Sequence, residues 1–282
     1  MHGRSLVLAL IGPLLATVGC GGSGHQRINP ERLLDAAAQH PITSAQTQID
    51  VRMQVDGVPQ LSGPLRLRLR GPYVSGEGER IPSFDWRLSA SALGFPLGGR
   101  IASTGANLYL SLYGDNYEVG TGAVAAANER IRAAAGGPSG EGPGLHLRDW
   151  FGPARVAGEG NEGGADCERI AAPLRGGEMA RELAPLAGSV WFSEPPRFSG
   201  RAGACVGYDD RAFHELHADA TVQVPPADRP RLGGATAVHL LLEVVNSDLG
   251  EPQQVSIPGG GGYRPIRDLA LTLNDLGVPI PL

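Results

Sequence analysis

Apolar side chains recur at every second position along several short segments of this chain. One of them reads Leu-Arg-Leu-Arg-Leu-Arg over residues 65–70. Because successive side chains of a β-strand point to opposite faces, a period of two predicts a strand with one dry face and one wet face. The pattern therefore favours a sheet that is buried on one side.

Other segments share this period or have the composition of strands. They are residues 46–55, 84–90, 97–103, 108–112, 117–119, 154–157, 167–171, 202–206, 212–224 and 236–246. Glycines and prolines, 42 and 23 in number, separate many of them. Short turns between successive strands indicate an antiparallel meander. The segment 236–246 is apolar on both of its faces, which predicts that both are covered.

A smaller part of the chain has helical spacing. Asn29-Pro30-Glu31 combines a capping side chain, a proline and an acidic residue, and it predicts a helix to about residue 39. Further helices are predicted at 123–135, at 145–151 with Trp150, around Met179, Leu183 and Leu186, and after Asp268. The predicted fold class is α+β, a curved antiparallel sheet or half-barrel covered on its concave side by a few helices, in one domain spanning residues 29–282.

The first 19 residues are typical of a secretory signal. Arg4 precedes an apolar run from Leu6 to Val18, which is too short for a stable bilayer span. Residues 15–20, Leu-Ala-Thr-Val-Gly-Cys, resemble the lipobox of bacterial lipoproteins. We therefore expect a lipid on Cys20, a tether over residues 20–28, and a protein held on the outer face of the cell membrane. The alternative is an ordinary leader beside which Cys20 is incidental.

Two further cysteines, Cys167 and Cys205, lie in strand-like segments. In an exported protein they can pair with each other in only one way, which predicts a disulfide between neighbouring strands. The alternative is a pair of buried free thiols.

Catalytic patterns are sparse. His214-Glu215-Leu216-His217 has its histidines three residues apart, whereas the zinc helix motif needs four, and on a strand they point to opposite faces. We expect two partly exposed structural histidines, and we interpret Asp209-Asp210 as a hairpin turn. A hydrolase would have only His214, His217, Asp209 and Asp210 to use, so neither an enzyme nor a bound metal or cofactor is expected.

All 24 positively charged residues are arginines, and the formal net charge is -5. Since the arginines are spread along the chain, the sequence shows no basic stripe for a phosphate backbone, and nucleic acid is not expected as a partner.

The apolar faces of the predicted strands are candidates for a ligand surface. If the sheet curls, it encloses a surface lined by Ile49, Val51, Met53, Leu65, Leu67, Phe84, Trp86, Leu88 and Leu110. Such a surface either holds lipid or is filled by helices, and periodicity leaves both possibilities open.

Three segments carry a resemblance to a known group. They are residues 100–110 with 117–119, residues 166–170, and residues 251–258. The chain resembles the LolA/LolB-like superfamily, including lipid-binding lipoproteins of the LppX and LprG type, and 251–258 is similar to that family's closing strand. The resemblance implies a half-barrel of antiparallel strands lidded by helices, with an apolar cavity that holds acyl chains of lipids or lipoproteins. We expect a monomer. The alternative is a ligand-free structural or interaction module of the cell envelope.

Overall fold

The structure is a computed structural model that describes residues 29–59, 63–76, 81–92, 95–135, 147–180, 192–194, 196–259 and 262–275. The predicted leader, Cys20 and the tether lie outside the described residues, as do Leu183 and Leu186 of the predicted third long helix.

Twelve strands form one open sheet. They are β1 (Ser44–Asp56), β2 (Leu65–Val74), β3 (Ser83–Ala92), β4 (Phe95–Thr104), β5 (Leu108–Leu112), β6 (Asp115–Glu118), β7 (Arg155–Glu162), β8 (Ala165–Pro173), β9 (Arg197–Gly207), β10 (Phe213–Gln223), β11 (Ala237–Ser247) and β12 (Arg264–Pro265). Their spatial order is β12-β6-β5-β4-β3-β2-β1-β11-β10-β9-β8-β7. Every pair is antiparallel except β12 with β6.

The helical elements among the described residues are few. They are α1 (Pro30–Ala38), α2 (Thr121–Ala135), α3 (176–180), α4 (Ile266–Asp275) and two short 3-10 turns, Leu147–Trp150 and Pro226–Asp228. Helix α1 begins as predicted, because the Asn29 side chain accepts hydrogen bonds from the backbone N–H groups of Glu31 and Arg32. The fold class is therefore confirmed as a curved, mostly antiparallel sheet with a few helices.

The sheet consists of two meanders joined at its centre. Strands β1 to β6 form the first and β7 to β11 form the second, and β1 pairs with β11 at the seam. Ile49 of β1 lies opposite Val244 of β11, which in turn lies opposite Leu216 of β10. Since the register is unbroken across the seam, the apolar residues of both meanders share one face, called here the inner face.

The main core lies on the inner face at the β8–β10 end. Leu33, Leu34 and Ala37 of α1 pack there together with Trp150 and Phe151. Their partners from the sheet and α3 are Ile170, Ala172, Ala202, Ala204, Val206, Phe213, Ala220 and Met179. Helix α1 thus covers the second meander with its apolar side.

Two expectations about the strands are wrong. Residues 251–258 form no strand; they run across the other, outer face, where Gln253 accepts a hydrogen bond from Gln46 and Ser256 contacts Arg100. These side-chain contacts replace strand pairing. The outer face of β11 is not fully covered either, because the Leu241 side chain is 48% exposed.

Candidate functional site

An apolar pocket lies on the inner face, beside the main core. Its volume is about 280 Å³. It is lined by Ile42, Thr47, Ile49, Tyr73, Trp86, Trp150, Phe151, Ala202, Leu216, His217, Ala218, Leu242, Val244 and Asn246. Pockets that hold small ligands usually enclose roughly 300–1,000 Å³, so this one is near the small end of that range.

The wall formed by the sheet follows from strand register. Ile49 of β1, Val244 of β11 and Leu216 of β10 are consecutive neighbours across the strands. Two residues further along these strands, Leu242 of β11 lies beside Ala218 of β10, and Ala218 lies beside Ala202 of β9. The two alanines leave room that larger side chains would fill, and the pocket lies over them.

Trp150 and Phe151 form the wall opposite the sheet, and both are buried. The turn that carries them is fixed to α1, because Nε of Arg148 donates to Oδ1 of Asp35 over 2.6 Å. Arg148 also contacts the Glu31 carboxylate, which in turn accepts a 2.7 Å hydrogen bond from the backbone N–H of Ala154. This network positions the aromatic wall of the pocket.

On its other side, the same turn is tied to the two residues that directly follow β8. Phe151 forms an isolated bridge with Leu174, and the backbone N–H of Arg175 donates to the Trp150 carbonyl over 2.7 Å. The aromatic pair is therefore anchored both to α1 and to the sheet.

The polar groups of the pocket are few and mostly satisfied. The Thr47 hydroxyl donates to Oδ1 of Asn246 over 3.0 Å, and Nδ2 of Asn246 donates to the Phe213 carbonyl over 3.3 Å. Burial raises the pKa of the Tyr73 hydroxyl, so Tyr73 is neutral near pH 7. Among the described residues that line the pocket, none is an acid or an arginine. The surface thus suits an uncharged apolar group.

Two of the nine predicted cavity residues, Ile49 and Trp86, line this pocket. Phe84 is buried and stacks on Trp86 with ring centroids 4.1 Å apart. The other six lie outside the lining but on the same inner face, as the cross-strand pairs show. These six are Val51, Met53, Leu65, Leu67, Leu88 and Leu110.

Sequence reasoning missed most of the residues that line the pocket. The β11 residues Leu242 and Val244 show a strand period in the sequence, yet nothing there indicates that β11 pairs with β1. Trp150 and Phe151 reach the pocket through the ion pairs that fix their turn to α1 and through backbone contacts with Leu174 and Arg175, none of which periodicity indicates.

The histidine and aspartate candidates occupy different surroundings. His214 is only 4% exposed, and its Nε2 lies 2.8 Å from Oδ2 of Asp210, while its Nδ1 has no partner. The expectation of partial exposure is wrong for His214, because Asp210 provides a polar partner at a buried position. Burial raises the pKa of Asp210, but hydrogen bonds from the Ala212 N–H and His214 outweigh it and lower the pKa overall.

His217 is exposed and lies beside Glu215, 3.6 Å away. No hydroxyl or thiol is hydrogen-bonded to His214 among the described residues, and no group of three metal-binding side chains occurs there. Asp210 stabilises the turn between β9 and β10, as the interpretation of Asp209-Asp210 predicts.

Cys167 of β8 and Cys205 of β9 form a disulfide, with their Cα atoms 5.4 Å apart. The predicted link between neighbouring strands is present, and the two thiols are not free.

Comparisons with known proteins gave structural matches only. No family model and no curated protein matches the chain. LppX from Mycobacterium tuberculosis aligns with 12% identity and a TM-score of 0.44, over 80% of this chain and 98% of LppX. LprF from Mycobacterium bovis aligns with 10% identity and a TM-score of 0.47, over 82% of this chain and 97% of LprF.

A LolA superfamily protein from Nitrosomonas europaea aligns with 9% identity and a TM-score of 0.23, over 82% of this chain and 96% of that protein. These matches agree with the resemblance to the LolA/LolB-like superfamily drawn from the sequence. In the part of the chain that the structure describes, no helix is long and apolar enough to span a bilayer.

Proposed function

We propose that this chain is an exported lipoprotein that binds an acyl chain of a lipid or of another lipoprotein in the inner-face pocket. The observation that carries the proposal is the composition of the pocket, in which aliphatic and aromatic side chains surround about 280 Å³. A hydrocarbon chain gains about 0.8 kcal/mol for each methylene that it buries, and such a surface supplies that burial.

The pocket lining also limits what part of a ligand enters. The lining contains neither an acidic nor an arginine side chain, and its histidine, His217, already pairs with Glu215 at 3.6 Å. A charged headgroup in the pocket would therefore lose its hydration without gaining a free partner. The headgroup therefore stays in solvent while the chain lies between Trp150, Phe151 and the sheet. The role proposed is binding or carriage without catalysis.

The anchor is the second part of the proposal. Residues 1–19 are removed as a signal peptide, Cys20 carries the lipid, residues 20–28 serve as a tether, and residues 29–282 form one domain. A protein with two or more acyl chains on Cys20 stays on a membrane, here the outer face of the cell membrane, as a monomer. Mass spectrometry of the mature protein tests this part of the proposal, and Cys20→Ser should abolish acylation. A mature chain that begins at another residue would contradict the proposed anchor.

Filling the pocket tests the binding role. Val244→Trp places an indole in the pocket, whereas Val238→Trp makes the same change on the same strand and face, outside the lining. Titration with a fluorescent palmitate analogue should show at least a tenfold weaker affinity for Val244→Trp and little change for Val238→Trp. Equal loss in both variants, or no binding by the unchanged protein, would contradict the proposal.

A second candidate is a ligand-free structural module of the envelope. The observation in its favour is that α1, Trp150, Phe151 and Met179 already fill the inner face over β8–β10. This candidate predicts that native mass spectrometry after gentle purification shows the bare polypeptide mass only. A co-purifying lipid that is lost in Val244→Trp and retained in Val238→Trp would exclude it.

A further inference from the structure

Six arginines lie together on the outer face of the first meander. They are Arg52 of β1, Arg66, Arg68 and Arg70 of β2, Arg87 of β3 and Arg100 of β4, and together they are called the arginine patch. The four strands are consecutive in the sheet, so residues far apart in sequence become neighbours. The sequence expectation that the arginines form no basic stripe is therefore wrong, because strand pairing assembles one.

Register places several of these like charges directly opposite one another. Arg52 faces Arg66, Arg70 faces Arg87, and Arg87 faces Arg100. Like charges at directly opposite positions of an antiparallel pair destabilise a sheet. Folding alone does not explain this arrangement, whereas an anionic partner would convert the repulsion into attraction.

Two carboxylates partly neutralise the patch. Nε of Arg68 lies 2.6 Å from Oδ1 of Asp50, and Arg100 forms two hydrogen bonds with Asp85. Glu243 of β11 lies opposite Asp50 and marks the edge of the patch.

The other four arginines of the patch, Arg52, Arg66, Arg70 and Arg87, are exposed. Within the part of the chain that the structure describes, they have no ion pair or side-chain hydrogen bond. The chain as a whole has a net charge of -5, so the patch contrasts in sign with the rest of the molecule.

We propose that the arginine patch binds the anionic headgroup surface of a phospholipid membrane. Guanidinium groups pair well with phosphate oxygens, and a charge-asymmetric protein orients its positive side toward a negative surface. Neighbouring strands lie about 4.8 Å apart and alternate residues about 6.8 Å apart, so the patch extends roughly 14 Å in each direction. An array of that breadth matches several headgroups at once rather than one small anion. The pocket is on the inner face, so this proposal is independent of acyl-chain binding.

Vesicle binding measures the proposed interaction directly. The full chain carrying Cys20→Ser, which removes the acylation site, is sedimented with vesicles of phosphatidylglycerol and phosphatidylcholine in equal parts and with pure phosphatidylcholine vesicles. We expect binding only to the anionic vesicles, with an affinity that falls steeply as NaCl is raised. The variant Arg52→Gln, Arg66→Gln, Arg70→Gln, Arg87→Gln should bind at least a hundredfold more weakly, since each arginine near such a surface contributes about fivefold.

A matched control separates the patch from net charge. Arg32, Arg155, Arg175 and Arg197 are exposed residues outside the patch, and changing all four to Gln alters the net charge by the same amount. This control variant should bind anionic vesicles nearly as well as the protein whose arginine patch is unchanged. Equal weakening in both variants, equal binding to both vesicle types, or binding to a DNA duplex but not to vesicles would overturn the proposal. Thermal unfolding verifies that both variants are folded.

Discussion

Thr47 donates its hydroxyl proton to Oδ1 of Asn246 over 3.0 Å, across the seam where β1 pairs with β11. Both side chains are buried, and Nδ2 of Asn246 donates in turn to the Phe213 carbonyl of β10. One amide group therefore links three neighbouring strands at the polar end of the pocket. This link holds the two meanders together where apolar packing alone would leave polar groups unsatisfied.

Thr47→Val removes this hydroxyl while keeping the shape of the side chain. It should lower the free energy of unfolding by about 1–3 kcal/mol, because Oδ1 of Asn246 is left buried without a donor. Urea denaturation measures the change, and Thr236→Val, at an exposed position, should cost far less. An equal effect at both positions would show that the buried hydrogen bond adds nothing.

Gly163→Ala should destabilise the hairpin between β7 and β8 strongly. Gly163 has a φ of +58°, and a Cβ atom there would lie 2.0 Å from the Asn246 carbonyl oxygen. The next residue, Gly164, has a φ of +83°, but a Cβ atom added there would have no other atom within 4 Å, so Gly164→Ala meets only the backbone penalty of about 1–2 kcal/mol. In thermal unfolding, the melting temperature of Gly163→Ala should be well below that of Gly164→Ala. The reverse order would contradict the close contact at Gly163.

Removing the disulfide should lower stability without changing the fold. Cys167 and Cys205 are 38 residues apart, and closing a loop of that size contributes about 3–4 kcal/mol in the chain-entropy estimate. The double variant Cys167→Ser, Cys205→Ser should lose about that much in denaturant unfolding. Reduction of the unchanged protein with dithiothreitol should give the same loss, whereas no loss in either experiment would contradict the estimate.

His217 and Glu215 should titrate as a pair. The Glu215 carboxylate, 3.6 Å away, raises the pKa of His217, and His217 in turn lowers the pKa of Glu215. The stabilisation from His217 is complete below its unfolded pKa of about 6.5 and is lost as pH rises through its higher folded pKa. The stabilisation from Glu215 is present above its unfolded pKa of about 4.3 and is lost as pH falls through its lower folded pKa.

The pair is therefore most stabilising between these two unfolded pKa values. NMR titration of the His217 ring should give a pKa above the ordinary value, and Glu215→Gln should bring it down. Glu243→Gln, which removes a weaker contribution, should lower it less. A His217 pKa that is unaffected by Glu215→Gln would contradict the assignment.

The sequence predicted the strands and helices well because their signals are local. The alternation of Leu and Arg over residues 65–70 and the cap at Asn29 each depend on neighbours within a few positions. It also predicted the partner of Cys167, since only Cys205 remained once Cys20 was assigned to lipid.

The pocket and the arginine patch could not be read in the same way, because both depend on which strands are neighbours. Val244 lines the pocket beside Ile49 although 195 positions separate them in the chain. Arg100 faces Arg87 because of the exact register between the successive strands β3 and β4, which alternation alone does not determine. Local periodicity indicates which face of the sheet a residue occupies, but it does not indicate which residues of neighbouring strands lie beside it on that face.

The seam between β1 and β11 has a consequence for how the chain folds. Each meander consists mostly of hairpins between successive strands and can form from contacts that are short in sequence. Closure of the seam has to wait until β11 has been synthesised, so β1 spends that interval as an unprotected edge. A strand of this length with an apolar side is then open to association with other chains, and production at low temperature or with a holdase should raise the yield of monomer.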